Sequence, residues 1–246
     1  MTKTLILIPS RMAATRLPGK PLLKINNLSI ISHVFKRAEE AKIGEVVVAT
    51  EDQKILEDVI KNGGRGILTS SNHKTGTDRI FEAYKKLEIK DVDYVLNLQG
   101  DEPNIDKNDI ISLNNFMINN NSEIGTLAAT IQDDKIANNK NVVKVITEKK
   151  LEKNNFPTAL NFTRDNLSKN NSNIYHHIGI YSYKTSILEK FVSLAQTTNE
   201  IENKLEQLRA LDNKLKINVA LAKSSPIGID TEEDYLAIKK IMEYKS

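Results

Sequence analysis

The 246-residue sequence contains no cysteine, which removes disulfides, thiolate nucleophiles and cysteine-ligated metals from consideration. Long apolar runs are missing as well. The opening stretch MTKTLILIPSR is too short for a signal sequence and meets proline and arginine without a small-residue cleavage site. No later stretch is long enough to span a bilayer, so a cytoplasmic protein without membrane partners is the expectation. Neither sign of charge dominates: 35 basic and 32 acidic residues leave a formal net charge of +3, spread along the chain. That balance argues against a nucleic-acid surface and fits a local site for an anionic small molecule. Arginine is scarce, at seven residues against 28 lysines. The abundance of lysine, asparagine and isoleucine reads as a codon-level bias. Against it, each arginine marks a place where a planar, bidentate fork is hard to replace. Five of the seven, Arg11, Arg16, Arg79, Arg164 and Arg209, fall in the motifs below.

Short apolar, β-rich runs at residues 4–9, 45–50, 66–69 and 94–99 alternate with helix-period patterns at 30–41, 52–61 and 78–87. The alternation predicts a doubly wound α/β sheet with its sites at the C-terminal ends of the strands. Beyond Ile124 the pattern loosens into strand-like runs at 142–147, 159–162 and 178–183, separated by asparagine-rich stretches such as 166–173. These read as loops around a smaller sheet. A helix at about 201–211, a strand at 216–222 and a helix at 231–244 return to the α/β pattern. No internal repeat and no interdomain linker is visible.

The first strand runs into SRMAATRLPGKP, which puts Arg11, Arg16 and Lys20 at the C-terminal end of a buried strand. Neither familiar phosphate loop is present: proline follows Gly19 and Lys20, no glycine lies five residues before Gly19, and there is no GxGxxG turn. The loop reads as a grip for a triphosphate, or as a solvated basic loop. LNLQGDEP places Gln99, Asp101 and Glu102 after an apolar strand, where carboxylates are expected to face a crevice and Asp101 is the natural metal ligand. IGIDTEED offers Asp230, either as the cap of a helix beginning at Thr231 or as a second carboxylate of the crevice. TGTDR reads as a turn into a helix with Thr77 or Asp78 as cap and Arg79 on the first turn, and His73 beside it reads as a surface histidine. Glu206 and Arg209, three apart on the expected helix, fit a surface ion pair, and His177 fits a satisfied buried histidine.

IPSRMAATRLPGKPL resembles the signature of 3-deoxy-D-manno-octulosonate cytidylyltransferases. VVVATED, TSSNHKTGTDRIFEA, LNLQGDEPNI, VVKVI, HHIGIYSY, LEQLRAL and IDTEED follow in the family's order, so the resemblance covers nearly the whole chain. It implies a single Rossmann-like nucleotidyltransferase domain over residues 1–246, with a mostly parallel sheet. A smaller inserted β-rich region at about 135–190 would make the contacts of a homodimer. The implied reaction transfers CMP from CTP to the anomeric hydroxyl of the octulosonate, with magnesium, releasing pyrophosphate for lipopolysaccharide biosynthesis. By resemblance, Ser10, Arg11, Arg16, Lys20, Thr77, Asp78, Arg79 and Asp101 hold the nucleotide. Asp101 and Asp230 hold the metal, and these two with Arg16 and Lys20 form the catalytic set. Gln99, Arg164, His177, Tyr181 and Glu206 take the sugar acid, where Arg164 can pair with the carboxylate and the others can bond hydroxyls. The chain departs from the family after Arg164, which leads into DNLSKNNSN and reaches His177 in thirteen residues. That departure admits a related, amino-substituted ulosonic acid as the alternative substrate. A silent nucleotide-binding protein is opposed by the intact Arg16, Lys20, Asp101 and Asp230 set, and a dehydrogenase by the missing glycine fingerprint.

Overall fold

The computed structural model describes residues 2–13, 16–131, 137–165, 173–224 and 228–244. The chain divides into two compact units, Met1–Ile110 with Pro226–Ser246, and Ile111–Ser225. Among the described residues no helix is long and apolar enough to cross a membrane.

In the first unit, β1 (Thr4–Ser10), β4 (Gly44–Thr50), β5 (Gly66–Leu68) and β6 (Tyr94–Asn97) form a parallel sheet in the order β6-β1-β4-β5. Leu5 to Ile8 and Val47 to Ala49 are buried almost completely, as unbroken apolar runs in a sheet covered on both faces must be. The crossovers are α1 (Ile30–Glu40), α2 (Gln53–Lys61) and α3 (Gly76–Leu87). In α1 the Ser29 hydroxyl caps the amide of Ser32, and Ile30, Ile31, Val34, Phe35 and Ala38 form the buried face. Strand order reverses at β1, because the chain steps outward through β4 and β5 and then returns to β1's other side as β6. In such a sheet the crevice opens at the strands' C-terminal ends beside the reversal.

The last helix closes this unit. The short hairpin β2 (Lys24–Ile25) and β3 (Leu28–Ser29) contributes Ile25, which packs with Ile30, Ile229 and Ile238 in a cluster edged by Leu17, Leu23, Tyr235 and Met242. Burying each isoleucine is worth about 1.5–3 kcal/mol, so the cluster ties the C-terminal segment to the end of the basic loop. The Tyr235 hydroxyl adds a bond to the carbonyl of Lys24 at 2.7 Å.

The second unit centres on β7 (Ile124–Ala129), buried along its whole length, with β11 (Ile217–Leu221) parallel on one side and β10 (Ile174–Lys184) antiparallel on the other. β10 also pairs with β8 (Lys144–Thr147), and β8 with β9 (Ala159–Thr163). α4 (Lys107–Asn120), α5 (Thr185–Ser193), α6 (Thr198–Asn203) and α7 (Leu208–Asp212) complete the described helices, with α8 (Glu232–Glu243) at the C-terminus. The alternation expected for the first hundred residues is found within two residues at nearly every boundary. Two readings of the second unit are corrected. The continuous helix expected at 201–211 is two helices, separated where Lys204 takes a left-handed backbone at φ 53°. The strand expected from 178 begins at Ile174, and β7 was hidden by its mixed Gly, Thr and Ala content. Of the asparagine-rich segment expected at 166–173, residues 166–172 lie outside the described residues, and the carbonyl of Asn173 accepts from the Thr147 amide at 3.0 Å.

Candidate active site

At the C-terminal ends of β1 and β6 a cavity of about 360 Å³ is bounded by the basic loop, the start of α3, the turn after β6 and Asp230. Gly100 brings the turn close: a side chain there would place its Cβ 2.9 Å from the carbonyl oxygen of Pro9, so only glycine fits. Asp101 follows directly. Its main-chain oxygen accepts from the amide of Ile229 at 3.0 Å, and this bond sets Asp230 beside it although 129 residues separate them in sequence.

Lys20 bridges the two carboxylates, with Nζ 2.8 Å from Asp101 Oδ2 and 3.3 Å from Asp230 Oδ1. Arg16 Nη2 lies 3.0 Å from the other oxygen of Asp230. Lys20 is positioned by Gly19, whose left-handed backbone at φ 72° precedes the 3-10 turn Lys20–Leu22, with Pro21 at its start. Asp230 is not the helix cap. Thr231 is, in a capping box with Asp234 that also accepts from the Asp230 amide at 3.1 Å, so the Asp230 carboxylate is left to face Lys20 and Arg16.

Arg11, Ser10 and Gln99 also line the cavity. Ser10 is buried, and its hydroxyl has no hydrogen-bond partner among the described residues. Glu102, expected to face the crevice, is instead 8% exposed, with Oε2 unpartnered. Burial, reinforced by the charge of Asp101, pushes its carboxyl up to about 8.

The cap of α3 is Thr75, which accepts from the Asp78 amide at 3.1 Å, and neither Thr77 nor Asp78 fills that place. Thr75, Gly76 and Arg79 reach the cavity wall, whereas Thr77 is buried and neither it nor Asp78 lines the space. The Arg79 guanidinium is sequestered at 3% exposure by the carboxylate of Glu51 and the Thr69 hydroxyl, the latter at 2.7 Å. It braces the wall. His73 also lines the cavity, paired through Nε2 with Glu82. Burial raises the Glu82 carboxyl, but bonds from Lys86, His73 and the Ser70 amide outweigh it and hold the group down at about 2. Sequence reading missed His73 because its partner lies nine residues on, across a helix start.

In the second unit, the β10 bulge between Ile178 and Tyr181 frees two carbonyls, and the Thr126 hydroxyl contacts both, Ile180 at 2.7 Å and Ile178 at 3.2 Å. The same hydroxyl lies 3.1 Å from His177 Nε2. Its single proton suits the shorter contact with Ile180, so a neutral His177 donates from Nε2 in this network. Burial first, then His176 and Arg164, lower the His177 imidazole to about 3. Its ring stands edge-on to Phe162 at 5.1 Å and 5.4 Å from Tyr181. Burial, with Tyr183 and Glu206, raises the Tyr181 phenol.

Arg164 follows β9, and Nη1 donates to the Asn141 carbonyl at 2.8 Å. Lys144, almost fully buried, holds the Arg164 carbonyl at 3.2 Å and that of Asn139 at 2.9 Å. Glu206 occupies the break between α6 and α7. The surface pair expected for it is corrected: Arg209 is buried and forks onto Glu200 at 2.8 and 2.6 Å beneath the Phe191 ring, with Glu206 at 3.9 Å. Gln99 belongs to the first unit's cavity, and Arg164, His177, Tyr181 and Glu206 to the second unit.

Among the described residues no group of three or more His, Asp or Glu side chains forms a ready-made metal cage. What the cavity offers is two carboxylates meeting at one ammonium, which suits a hard cation completed by phosphate oxygens and water.

The chain is 43% identical over 248 residues to 3-deoxy-manno-octulosonate cytidylyltransferase of Rhodopseudomonas palustris (strain BisB18), covering 99% of each. It is 44% identical over 256 residues to the protein of that name from Thermodesulfovibrio yellowstonii, covering 97% of this chain and 98% of that one. A solved CMP:2-keto-3-deoxy-manno-octonic acid synthetase complexed with CTP is 32% identical, superposes with a TM-score of 0.90 and is covered completely, as is this chain. UDP-glucose pyrophosphorylase, at 16% identity and a TM-score of 0.74, shares the fold alone. Residues 5–217 match the sequence profile of the family described as Cytidylyltransferase, and the chain belongs to that family.

Proposed function

We propose that this protein transfers CMP from CTP to 3-deoxy-D-manno-octulosonate and releases pyrophosphate. The observation that carries the reading is the Lys20, Asp101, Asp230 and Arg16 network at the reversal of a parallel sheet. Full-length relatives that carry the octulosonate name favour this substrate over an amino-substituted acid.

Arg16 and Lys20 exchange their carboxylate partners for triphosphate oxygens and stay through the reaction, because negative charge builds on those oxygens as the bond to the leaving group stretches. The C2 hydroxyl oxygen of the sugar acid bonds to the α-phosphorus, the bond from α-phosphorus to the bridging oxygen breaks, and pyrophosphate leaves with that electron pair. The hydroxyl proton passes to solvent. Asp101 and Asp230 would hold magnesium together with phosphate oxygens, supplying charge neutralisation and a lowered pKa for the attacking hydroxyl. Arg79 and Thr75 keep the nucleotide wall in place, and Arg11 and Ser10 complete it. Thr77 and Asp78 act from behind, within the first turn of α3. Gln99, Arg164, His177, Tyr181 and Glu206 receive the sugar acid, with Arg164 opposite its carboxylate and a neutral His177 as a hydrogen-bonding wall.

A homodimer fits the second unit's outer strand: β9 pairs with β8 alone among the described strands, and Leu160 on it is 60% exposed. The product would serve lipopolysaccharide biosynthesis in the cytoplasm. Pyrophosphate release from CTP with magnesium tests the reading across a panel of sugar acids. Release with octulosonate supports it, and release only with an amino-substituted acid or with none of the panel removes it.

A further inference from the structure

The motif VVVATED ends β4, next to β1 in the sheet, and the reading above gives its last residue no role. Its last residue, Asp52, sits at the N-cap of α2 with extended backbone, φ −98° and ψ 119°, and its carbonyl accepts the first helical bond, from Leu56 at 3.1 Å. An aspartate there ordinarily turns its carboxylate onto the free amides of its own helix. This one does not: α2 has no side-chain cap. The carboxylate instead reaches 40 residues back and accepts from the amide of Met12 at 2.8 Å, while its own amide is held by the Thr50 hydroxyl at 3.1 Å.

Met12 is the post from which the basic loop hangs. Its amide is bound to Asp52, and its carbonyl accepts from the amide of Gly19 at 3.3 Å. The second of those bonds fixes Gly19, whose left-handed backbone leads directly into Lys20. Arg11 and Ala13, the residues on either side of Met12, both line the cavity. Glu51, the preceding residue of the same motif, holds Arg79 on the opposite wall.

We propose that Asp52 is a positioning residue for the nucleotide: a helix cap diverted from its own helix to fix the main chain of the basic loop, so that Arg11, Arg16 and Lys20 meet the triphosphate pre-arranged. The effect on turnover rests on the nucleotide reading given above, whereas the bond to Met12 does not. Holding charged groups in place before the ligand arrives saves ordering entropy on binding, so losing the bond costs CTP and not the sugar acid.

Two variants separate this role from a cap. Asp52→Asn keeps an oxygen that can accept from the Met12 amide. Asp52→Ser is a good N-cap for α2 but is too short to reach the loop. Steady-state kinetics are measured with each substrate varied at saturation of the other, alongside melting temperature and hydrogen exchange of the Met12 amide in the nucleotide-free protein. The expected result is that Asp52→Ser melts near the parent, raises the KM for CTP about tenfold, as loss of one charge-assisted bond implies, and leaves the KM for octulosonate within about twofold. Met12 exchanges faster in that variant, and Asp52→Asn stays close to the parent in every readout. Parent-like CTP kinetics in Asp52→Ser would overturn the proposal, and so would equal losses in both variants. If the parent turned over no CTP at all, the functional reading would fall, and Met12 exchange would still decide whether Asp52 fixes the loop: protection equal to the parent's in Asp52→Ser refutes it.

Discussion

Acid should unfold this protein partly through one histidine. His177 is lowered to about 3 by burial, His176 and Arg164, whereas in the unfolded chain it titrates near the ordinary imidazole value of about 6.5. Between those values the unfolded state binds a proton that the folded state refuses, so stability is fully present above the unfolded pKa and drains away as pH falls toward the folded one. One pKa unit corresponds to about 1.4 kcal/mol, which gives a loss of about 2 kcal/mol at pH 5 and about 3 kcal/mol at pH 4 from this group. His176, also lowered by burial and then by Lys144, adds a slope of the same sign, as do paired carboxylates, so the parent curve alone does not isolate the effect. The comparison with His177→Gln does, because the glutamine amide nitrogen can take the place of Nε2 as a donor to the Thr126 hydroxyl but cannot titrate. Urea unfolding at pH 7.5, 5 and 4 should therefore show the parent losing more stability than the variant, with the gap at pH 4 larger by about 3 kcal/mol than at pH 7.5. Parallel curves for the two proteins would mean that His177 is not held neutral by burial, and the account of the second unit's polar wall would be wrong.

Arg209→Met leaves the Glu200 carboxylate buried and unpaired, and should cost about 3–5 kcal/mol in urea unfolding. Gly19→Ala meets nothing closer than the Met12 methyl at 3.7 Å, so its cost is backbone alone, about 1–2 kcal/mol for the positive φ, and Gly19→Asn should recover part of it in thermal melts. Arg164→Lys keeps the charge and loses the fork, so the KM for the sugar acid should rise roughly tenfold or more while the KM for CTP holds; steady-state kinetics decide, and an altered CTP constant would move Arg164 out of the sugar site. Asp101→Asn and Asp230→Asn should each lower kcat by orders of magnitude at limiting magnesium with melting temperature preserved, and parent-like rates in both would remove the metal assignment.

Periodicity carried the first unit because its strands are unbroken apolar runs buried on both faces, which leave little ambiguity once helical patterns separate them. The cavity was legible for a related reason: charged groups in the segments that follow such strands tend to face the crevice, as Arg16, Lys20 and Asp101 do. Where reading failed, a competing local option had won. Thr75 took the cap that Thr77 or Asp78 was expected to supply, because α3 starts two residues earlier, and Thr231 took the cap expected of Asp230. The split of the helix at Lys204 was invisible because a left-handed lysine carries no compositional mark. Partnerships over long separations, Asp52 with Met12 or Arg79 with Glu51, were equally hidden, since nothing in either segment names the other. Glu102 is the opposite lesson, a carboxylate beside a crevice that turned inward.

The most direct measurement follows the phosphorus. CTP labelled at the α-phosphate, and separately at the γ-phosphate, is incubated with the protein, magnesium and 3-deoxy-D-manno-octulosonate, and the products are separated. Attack at the α-phosphorus beside Lys20 and Arg16 predicts that the α label appears in the sugar nucleotide and the γ label only in pyrophosphate. Transfer of the γ label to the sugar acid, or release of either label without a sugar nucleotide, would contradict the account.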